Sequence, residues 1–346
     1  YKYFRNYQPN TAIFMFYRDL NVPSIIEIGR NRIEQIDNLL LRNHIYFKNK
    51  VLFTQENLYN VYKDSLCVNT FSEIVCIKGG VFEELSCIHL KSSSTDALYV
   101  AFGGGSVIDS VKMFASMTEH PYLTIPSTLS NDAIYSPIAR LIKRGKKRSF
   151  GVIAPIGIIV DTDVIRRSPR RLILAGVGDL VSNLSAKKDC EIAERNIGET
   201  IDAFALELAS LGAESVLKFK VGDINTDLFI NRLAYGLIFS GMAMIMSGNS
   251  RPASGAEHLI SHAIDEYYPD RSTLHGVQVA WAQLMLEKYV RKDQQAYHQL
   301  YNFFKELGLY EMFSECLFFS EDDFRKLLPL AREMRKRYTV LNTIDL

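Results

Sequence analysis

The sequence predicts two domains of different class, an N-terminal α/β domain with a parallel sheet and a C-terminal all-helical domain. Three observations carry this prediction. The chain has 346 residues, enough for two domains of ordinary size. Short β-rich runs alternate with helical patterns through the first half, as parallel strands joined by helices require. After Asp163 only helical patterns follow, which places the domains at 1–165 and 166–346.

The first domain is predicted as a series of strands with helices between them. Runs of apolar and β-branched residues predict strands at 24–29, 50–55, 73–80, 96–105, 121–128 and 150–162. Helical periodicity predicts helices at 31–43, 56–66 and 106–117. The basic run KRGKKR at 143–148 is interpreted as a solvated hairpin turn centred on Gly145, rather than as a nucleic-acid patch.

The second domain is predicted to contain helices alone. Helical patterns separated by turn-forming residues occur at 168–220, 227–248, 252–267, 273–290, 294–308 and 321–338. The most apolar run, at 233–248, is shorter than the roughly 20 apolar residues of a membrane-spanning helix. We therefore expect a buried core helix there.

Composition excludes several classes of partner. The net charge is +1, so we expect no general attraction to nucleic acid or to an anionic membrane. The five cysteines form no CxxC pair, which favours reduced thiols and a cytoplasmic location. The first ten residues are polar and aromatic, unlike a secretory leader.

A run of three glycines, Gly103 to Gly105, stands between a predicted strand and a predicted helix in ALYVAFGGGSVIDSVK. Such a loop lets backbone N–H groups approach a phosphate at a helix N-terminus. The run matches neither GxGxxG nor a P-loop, so a tight turn without a ligand is the alternative.

A second polar loop, IPSTLSNDAIYSP, follows the next strand and contains Asp132 among several hydroxyl groups. Ligands of open parallel sheets bind beyond the carboxyl ends of strands, where both loops begin. A simple turn rich in serine and asparagine explains the composition of this loop, but not its pairing with the glycines.

Three of the seven histidines fall within SGAEHLISHAIDEYYPDRSTLHGVQVA, at 254–280. His258 and His262 are four residues apart and share one helix face. Pro269 ends that helix and His275 lies in the first turn of the next, so a helical hairpin can bring His275 beside His258. Three histidines in one hairpin favour a metal or catalytic site over unrelated core or surface positions.

The segment AGVGDLVSN offers an anionic ligand for such a site. Asp179 lies near the start of the second domain, and the glycines at 176 and 178 leave room around it. One carboxylate and two imidazoles, with an open fourth position, are the pattern of a catalytic zinc site.

Together these motifs resemble the glycerol dehydrogenase and sn-glycerol-1-phosphate dehydrogenase branch of the iron-containing alcohol dehydrogenase and dehydroquinate synthase superfamily. The resemblance runs from IIEIGRNRIEQI to MRKRYTVL and includes GGGSVID, PSTLSND, GVGDLVSN, GAEHLISH and LHGVQVA in the family's order. It implies a dehydroquinate synthase-like fold, in which a Rossmann-like nucleotide-binding domain precedes an all-α metal-binding domain.

The resemblance also implies roles for individual residues. The metal ligands would be Asp179, His258 and His275, the substrate-contacting aspartate Asp132 and a substrate histidine, which could relay the proton, His262. The residues implied for binding NAD or NADP are Gly103, Gly104, Gly105, Ser106, Asp109, Ser127, Ser130 and Ser136.

Departures from the family pattern bear on the metal and the reaction. Iron-dependent members carry a histidine where this chain has Asn183, which favours zinc over iron. Cyclase members carry glutamate where this chain has Asp179, which argues against a cyclase. Glycerol dehydrogenases usually have lysine at the position of Ser106.

Other positions bear on the cofactor and the substrate. The acidic residue that holds the adenosine ribose falls on Gln55 or Glu56, and glutamine would weaken discrimination against NADP. The segments SAKKDCEIAERNIGE and GAEHLISHAID favour a phosphorylated substrate, whereas Cys190 replaces a tryptophan frequent in the glycerol-1-phosphate enzymes. The basic residues that could face a phosphate are Lys187, Lys188, Arg251 and Arg271.

We therefore expect an enzyme, a metal-dependent NAD(P)-linked polyol dehydrogenase that interconverts sn-glycerol-1-phosphate and dihydroxyacetone phosphate. A glycerol dehydrogenase is the alternative, and a non-redox cyclase of the same superfamily is a more distant one. A metal- or nucleotide-binding regulator that kept the fold without turnover is the non-enzymatic alternative. We expect a homo-oligomer that acts on a small polyol or polyol phosphate.

Overall fold

The structure is a computed structural model that describes residues 22–90, 96–317 and 319–345. The predicted fold class is confirmed within these residues, because a parallel sheet precedes a run of helices. The segment at 1–10 and the side chain of Cys316, both considered above, lie outside the described part of the chain.

Strands occupy the first half of the described chain. They are β1 (Ile25–Gly29), β2 (Asn49–Thr54), β3 (Glu73–Cys76), β4 (Ala97–Gly103), β5 (Tyr122–Pro126), β6 (Ile138–Lys143), β7 (Lys146–Gly151) and β8 (Gly157–Asp161). Six of them form one sheet in the order β1–β8–β5–β4–β2–β3, and every pair in it is parallel. All residues of β4, β5 and β8 are buried, as expected for a sheet covered on both faces.

The basic run forms the predicted hairpin turn. Strands β6 and β7 pair antiparallel on either side of Arg144 and Gly145, whose φ angles are 52° and 75°. Two consecutive left-handed residues match the right-handed twist of the hairpin. The side chains of Lys146 and Lys147 then pair with Glu266 and Asp265 of the helical region.

The other main elements of the described chain are helices. The short helices within and just after the sheet region are α1 (Ile36–Arg42), α2 (Glu56–Tyr62) and α4 (Thr162–Arg166), and the longer α3 spans Gly105–Thr118. The C-terminal helices are α5 (Arg170–Val181), α6 (Asn183–Ile197), α7 (Ala203–Glu214), α8 (Asp227–Ser247), α9 (Ala256–Tyr267), α10 (His275–Met285), α11 (Gln294–Leu307), α12 (Tyr310–Cys316) and α13 (Glu321–Glu333). A π-helical turn at Leu286–Arg291 follows α10.

Several helices differ from the predicted bounds. The segment predicted as helical at 168–220 contains three helices, and Gly198 ends the second in a left-handed conformation. The sequence did not predict α12. Helix α8 has 21 residues and is long and apolar enough to cross a membrane, judged by length and composition alone. Its most apolar window is mostly buried inside the protein, as expected of a core helix.

Close backbone packing holds α5 against the loop after β5 on one side and against α10 on the other. A Cβ atom on Gly176 would lie 1.8 Å from the carbonyl oxygen of Leu129, in the loop after β5. A Cβ atom on Gly276 would lie 1.8 Å from the carbonyl oxygen of Ala175. One hydrophobic core therefore continues from the sheet into the helices. The domain boundary near residue 165 stays a prediction.

We predict that Gly176→Ala destabilises the protein, because the added methyl group overlaps the Leu129 carbonyl. Overpacking of this kind costs about 1–3 kcal/mol or more, against a helix-propensity gain of about 1 kcal/mol. Urea unfolding measures the change. The matched control is Gly222→Ala, since nothing lies within 4 Å of its added Cβ. Equal stability of the two variants would contradict the packing argument.

Candidate active site

An inner pocket lies where the loop after β5 meets α9, α10 and the segment after α13. Its wall contains four predicted site residues, Asp132, His258, His262 and His275. Two residues predicted to bind the cofactor, Asp109 and Ser136, also line it, as do Arg140, Ser149, Ser250, Ser254 and Arg335. The histidine cluster and the second polar loop therefore share one pocket.

The three predicted metal ligands converge beside this pocket. Asp179 lies in the last turn of α5, His258 in the first turn of α9, and His275 at the start of α10. The Asp179 Oδ1 atom is 3.8 Å from His258 Nε2 and 3.6 Å from His275 Nε2. All three ligand atoms lie within 4.8 Å of one another.

Hydrogen bonds assign the same tautomer to both imidazoles. The Ser261 hydroxyl donates to Gln278 Oε1 at 2.7 Å, so it accepts from His275 Nδ1 at 2.9 Å. The Glu257 carboxylate lies 2.9 Å from His258 Nδ1 and accepts a hydrogen bond from its N–H group. In this tautomer the Nε2 atom of each ring is the one that can bind a metal.

The charges around Asp179 fit a divalent cation. Burial raises the pKa of Asp179 well above its ordinary value, and the neighbouring carboxylate of Asp132 raises it further. Burial likewise lowers the pKa of His275 well below its ordinary value, so its ring is neutral. In the described residues no lysine or arginine pairs with Asp179. A buried carboxylate that faces the Nε2 atoms of two imidazoles is stabilised by a bound dication.

A fourth protein ligand is not supplied at the position where iron-dependent members carry one. Asn183 is buried, and its side-chain amide lies 3.4 Å from the Ala209 carbonyl of α7. This contact ties the side chain of Asn183 to α7.

A second cleft lies beside the glycine run. Five of the predicted cofactor residues line it, namely Gly104, Gly105, Ser106, Ser127 and Ser130. The Ser127 N–H donates to the Gly103 carbonyl at 2.8 Å, so the two polar loops are adjacent, as predicted. Thr128 lines the same cleft, and its buried Oγ1 has no hydrogen-bond partner in the described residues. These features fit a bound nucleotide phosphate at the N-terminus of α3.

Different constraints act at Gly103 and at Gly104. A Cβ atom on Gly103 would lie 2.6 Å from Val107 Cβ, so helix packing excludes it. A Cβ atom on Gly104 would meet only Thr128 Cγ2, at an ordinary 3.5 Å. Packing therefore tolerates a side chain at Gly104, and the need for glycine there would come from a ligand. The residue Gln55 lines the same cleft and Glu56 does not.

Asp109 and Ser136 lie away from this cleft, in the wall of the inner pocket, and both contact a lysine that the sequence analysis did not select. Lys112 is fully buried, with its Nζ 3.1 Å from Ser136 Oγ and 3.4 Å from Asp109 Oδ1. A role of Asp109 and Ser136 in cofactor binding stays a prediction. The spacing of Asp109 and Lys112, one helical turn apart, is the signal that could have identified the pair.

An outer pocket adjoins the inner one and is lined by basic residues. Both pockets share Ile138, Arg140, Ser149, His262 and Arg335. Neither Arg140 nor Arg335 was predicted from the sequence. The basic residues predicted instead pair elsewhere, Lys187 with Glu207, Lys188 with Glu287, Arg251 with Glu199 and Arg271 with Asp323.

The chain is similar in sequence and in fold to several known proteins. Residues 27–169 match the family model of iron-containing alcohol dehydrogenases. The glycerol-1-phosphate dehydrogenase [NAD(P)+] of Methanococcus maripaludis is 34% identical over 328 residues, 92% of either chain. That of Archaeoglobus fulgidus is 30% identical over 340 residues, 95% of either chain. The crystal structure of glycerol dehydrogenase from Schizosaccharomyces pombe superposes with a TM-score of 0.76 at 20% identity, over 95% of this chain and 87% of that one.

We predict that His275→Ala removes the bound metal, because it deletes one of three converging ligand atoms. The matched control is His262→Ala, which removes an imidazole from the same pocket but no predicted ligand. Metal content after dialysis, measured by atomic emission, should be near zero in the first variant and stoichiometric in the second. Stoichiometric metal in His275→Ala would show that the ligand assignment is wrong.

We predict that Gly104→Val weakens NADH binding about tenfold or more, equivalent to at least ~1.4 kcal/mol, because its side chain extends into the cleft. The fold should persist, since among the residues that the structure describes only Thr128 lies within 4 Å of the added Cβ. Fluorescence titration measures the affinity, and metal content is the control. Wild-type NADH affinity would indicate that the loop is only a turn.

Proposed function

The chain belongs to the glycerol-1-phosphate dehydrogenases of the iron-containing alcohol dehydrogenase family, and from this premise we propose that it interconverts sn-glycerol-1-phosphate and dihydroxyacetone phosphate with NAD or NADP. The nucleotide cleft, the metal ligands and the inner pocket support a metal-dependent dehydrogenase of this kind. One further observation favours a phosphorylated substrate over free glycerol. It is the pair of arginines between the two pockets.

The two arginines differ in their partners. Arg140 pairs with Asp265 at 2.6 Å, and Asp265 also pairs with Lys147. Arg335 is partly buried and makes no ion pair with a carboxylate in the described chain, and its Nη2 lies 3.4 Å from Ser149 Oγ. Burial lowers the pKa of Arg335, and the positive charge of Arg140 lowers it further.

Two guanidinium groups that repel each other form a site for an anion. A phosphate group offers the several acceptor oxygens that guanidinium donors prefer. Since both arginines lie where the outer pocket opens into the inner one, a phosphate held there would leave the polyol carbons inside, towards the metal ligands. Free glycerol would leave the charge of Arg335 unpaired, whereas Arg140 already pairs with Asp265.

The site residues have distinct roles in the proposed reaction. When bound, a divalent ion held by Asp179, His258 and His275 would polarise the substrate oxygen as a Lewis acid, and NAD(P) would serve as the hydride carrier. Asp132 lies in the same wall, with its backbone N–H bonded to Asp179 Oδ2 at 3.1 Å and its carboxylate to Ser240 at 3.2 Å. Its fixed carboxylate is placed to accept a hydrogen bond from a substrate hydroxyl.

His262 is the proposed proton acceptor when the alcohol is oxidised. Burial lowers the pKa of His262 well below its ordinary value, and the positive charges of Arg140 and Arg335 lower it further. The ring is therefore neutral at pH 7 and can accept a proton. A dianionic phosphate beside the arginines would offset their charge and raise the pKa of His262 towards the working pH. Substrate phosphate would thus assist proton transfer as well as binding.

Zinc is the proposed metal, and the cytoplasm the proposed location. Zinc commonly takes three protein ligands and leaves one position open in catalytic sites. The buried, hydrogen-bonded position of Asn183 supports the absence of the extra ligand that iron-dependent members carry. The four cysteines with described side chains, Cys67, Cys76, Cys87 and Cys190, are free thiols, which supports a reducing compartment. A homo-oligomer stays a prediction.

The direct test compares NADH oxidation by the zinc-loaded protein with dihydroxyacetone phosphate and with dihydroxyacetone. We predict a much larger kcat/KM for the phosphate. Faster turnover of dihydroxyacetone would favour a glycerol dehydrogenase. A protein that binds zinc and NADH but oxidises no NADH with either ketone would favour the cyclase or regulator.

We predict that Arg335→Gln raises KM for dihydroxyacetone phosphate about 10–100-fold, the loss of roughly 1.5–3 kcal/mol of charged hydrogen bonding. The weak rate with dihydroxyacetone should change little, because that ketone carries no phosphate. The matched control is Arg325→Gln, whose arginine is exposed and, within the described residues, forms an ion pair only with Glu321 on α13. A parallel loss with both ketones would remove Arg335 from phosphate recognition.

A further inference from the structure

A buried carboxylate lies directly behind the metal ligand His258. Glu257 is fully buried, and its Oε1 atom accepts the backbone N–H of Gly255 at 2.6 Å as well as the Nδ1 proton of His258. Its Oε2 atom accepts the Ser185 hydroxyl at 2.7 Å. Each oxygen therefore has a fixed donor, and the carboxylate has little freedom to move.

A second layer of charges holds this carboxylate in place. Arg291, from the π-helical turn after α10, donates to Ser185 Oγ at 3.1 Å and pairs with Asp189 at 2.7 Å. Asp189 in turn accepts the backbone N–H of Ala256, the first residue of α9, at 2.6 Å. The arginine thus anchors both the partner of Glu257 and the helix start that carries His258.

The two imidazole ligands are supported unequally. His275 donates its Nδ1 proton to a neutral hydroxyl, that of Ser261. His258 donates its Nδ1 proton to a buried carboxylate. A carboxylate acceptor fixes the ring more strongly and makes its free nitrogen a better electron donor to a metal.

We propose that Glu257 is a positioning residue that sets the orientation and donor strength of His258, and with them the metal affinity of the site. The role rests on the proposed metal site and assigns Glu257 no contact with substrate. Arg291 and Ser185 hold the carboxylate, and the carboxylate holds the imidazole. Loss of such a partner typically weakens metal binding 10–100-fold.

The test is the zinc affinity of Glu257→Gln, measured by competition with a chromophoric chelator in the absence of substrate. Glutamine keeps the size and one acceptor oxygen of the side chain but removes its charge. The matched control is Glu287→Gln, which makes the same change in a buried carboxylate that pairs with Arg291 and Lys188 rather than with a ligand. We expect the zinc Kd to rise about 10–100-fold in Glu257→Gln and to stay near wild type in Glu287→Gln.

Two results would overturn the proposal. Wild-type zinc affinity in Glu257→Gln would show that the carboxylate does not act on His258. Equal weakening in both variants would show that the charge of the whole network matters and the Glu257–His258 bond does not. If the wild-type protein itself binds no zinc, the proposed metal site fails and this role fails with it, a result distinct from the first two.

A measurement on the wild-type protein covers the case in which Glu257→Gln does not fold. In ¹⁵N-histidine NMR of the zinc-loaded protein, His258 should carry its proton on Nδ1, hydrogen-bonded to Glu257, and the metal on Nε2. A proton on Nε2 of His258 would contradict the proposed hydrogen bond.

Discussion

The burial of the Asp179 carboxylate is the constraint on which the rest of the site depends. An aspartate with 6% of its surface exposed needs charge compensation, and the described chain provides no lysine or arginine partner for it. What the chain provides is the backbone N–H of Asp132 on one oxygen and the Nε2 atoms of His258 and His275 facing the other. This combination is stable with a dication among the three groups and costly without one.

The fold places this carboxylate by backbone packing. The contacts of Gly176 with Leu129 and of Gly276 with Ala175 press α5 against the loop after β5 and against α10. Asp179 is carried on α5, Asp132 on that loop and His275 on α10. The same contacts therefore assemble the metal ligands and set them beside the polar loop that borders the nucleotide cleft.

Local spacing accounts for the parts of the site that the sequence could predict. His258 and His275 lie on either side of one helical break, and the two polar loops leave neighbouring parallel strands, so their convergence follows from secondary structure alone. The arginines were missed because the chain has 40 lysines and arginines, and their pairing is decided by tertiary contacts. Arg335 lies in the basic run at 335–337. Arg337, in the same run, has a different environment, because it hydrogen-bonds to Ser254 and Ser250.

X-ray absorption spectroscopy at the metal edge of the purified protein tests the central claim most directly. We predict one zinc ion per chain with only nitrogen and oxygen neighbours, at about 2.0–2.1 Å, and scattering from two imidazole rings beyond them. A sulfur shell at about 2.3 Å would place the metal on cysteines and contradict the account. Absence of imidazole scattering would contradict it equally, because His258 and His275 could not then both be ligands.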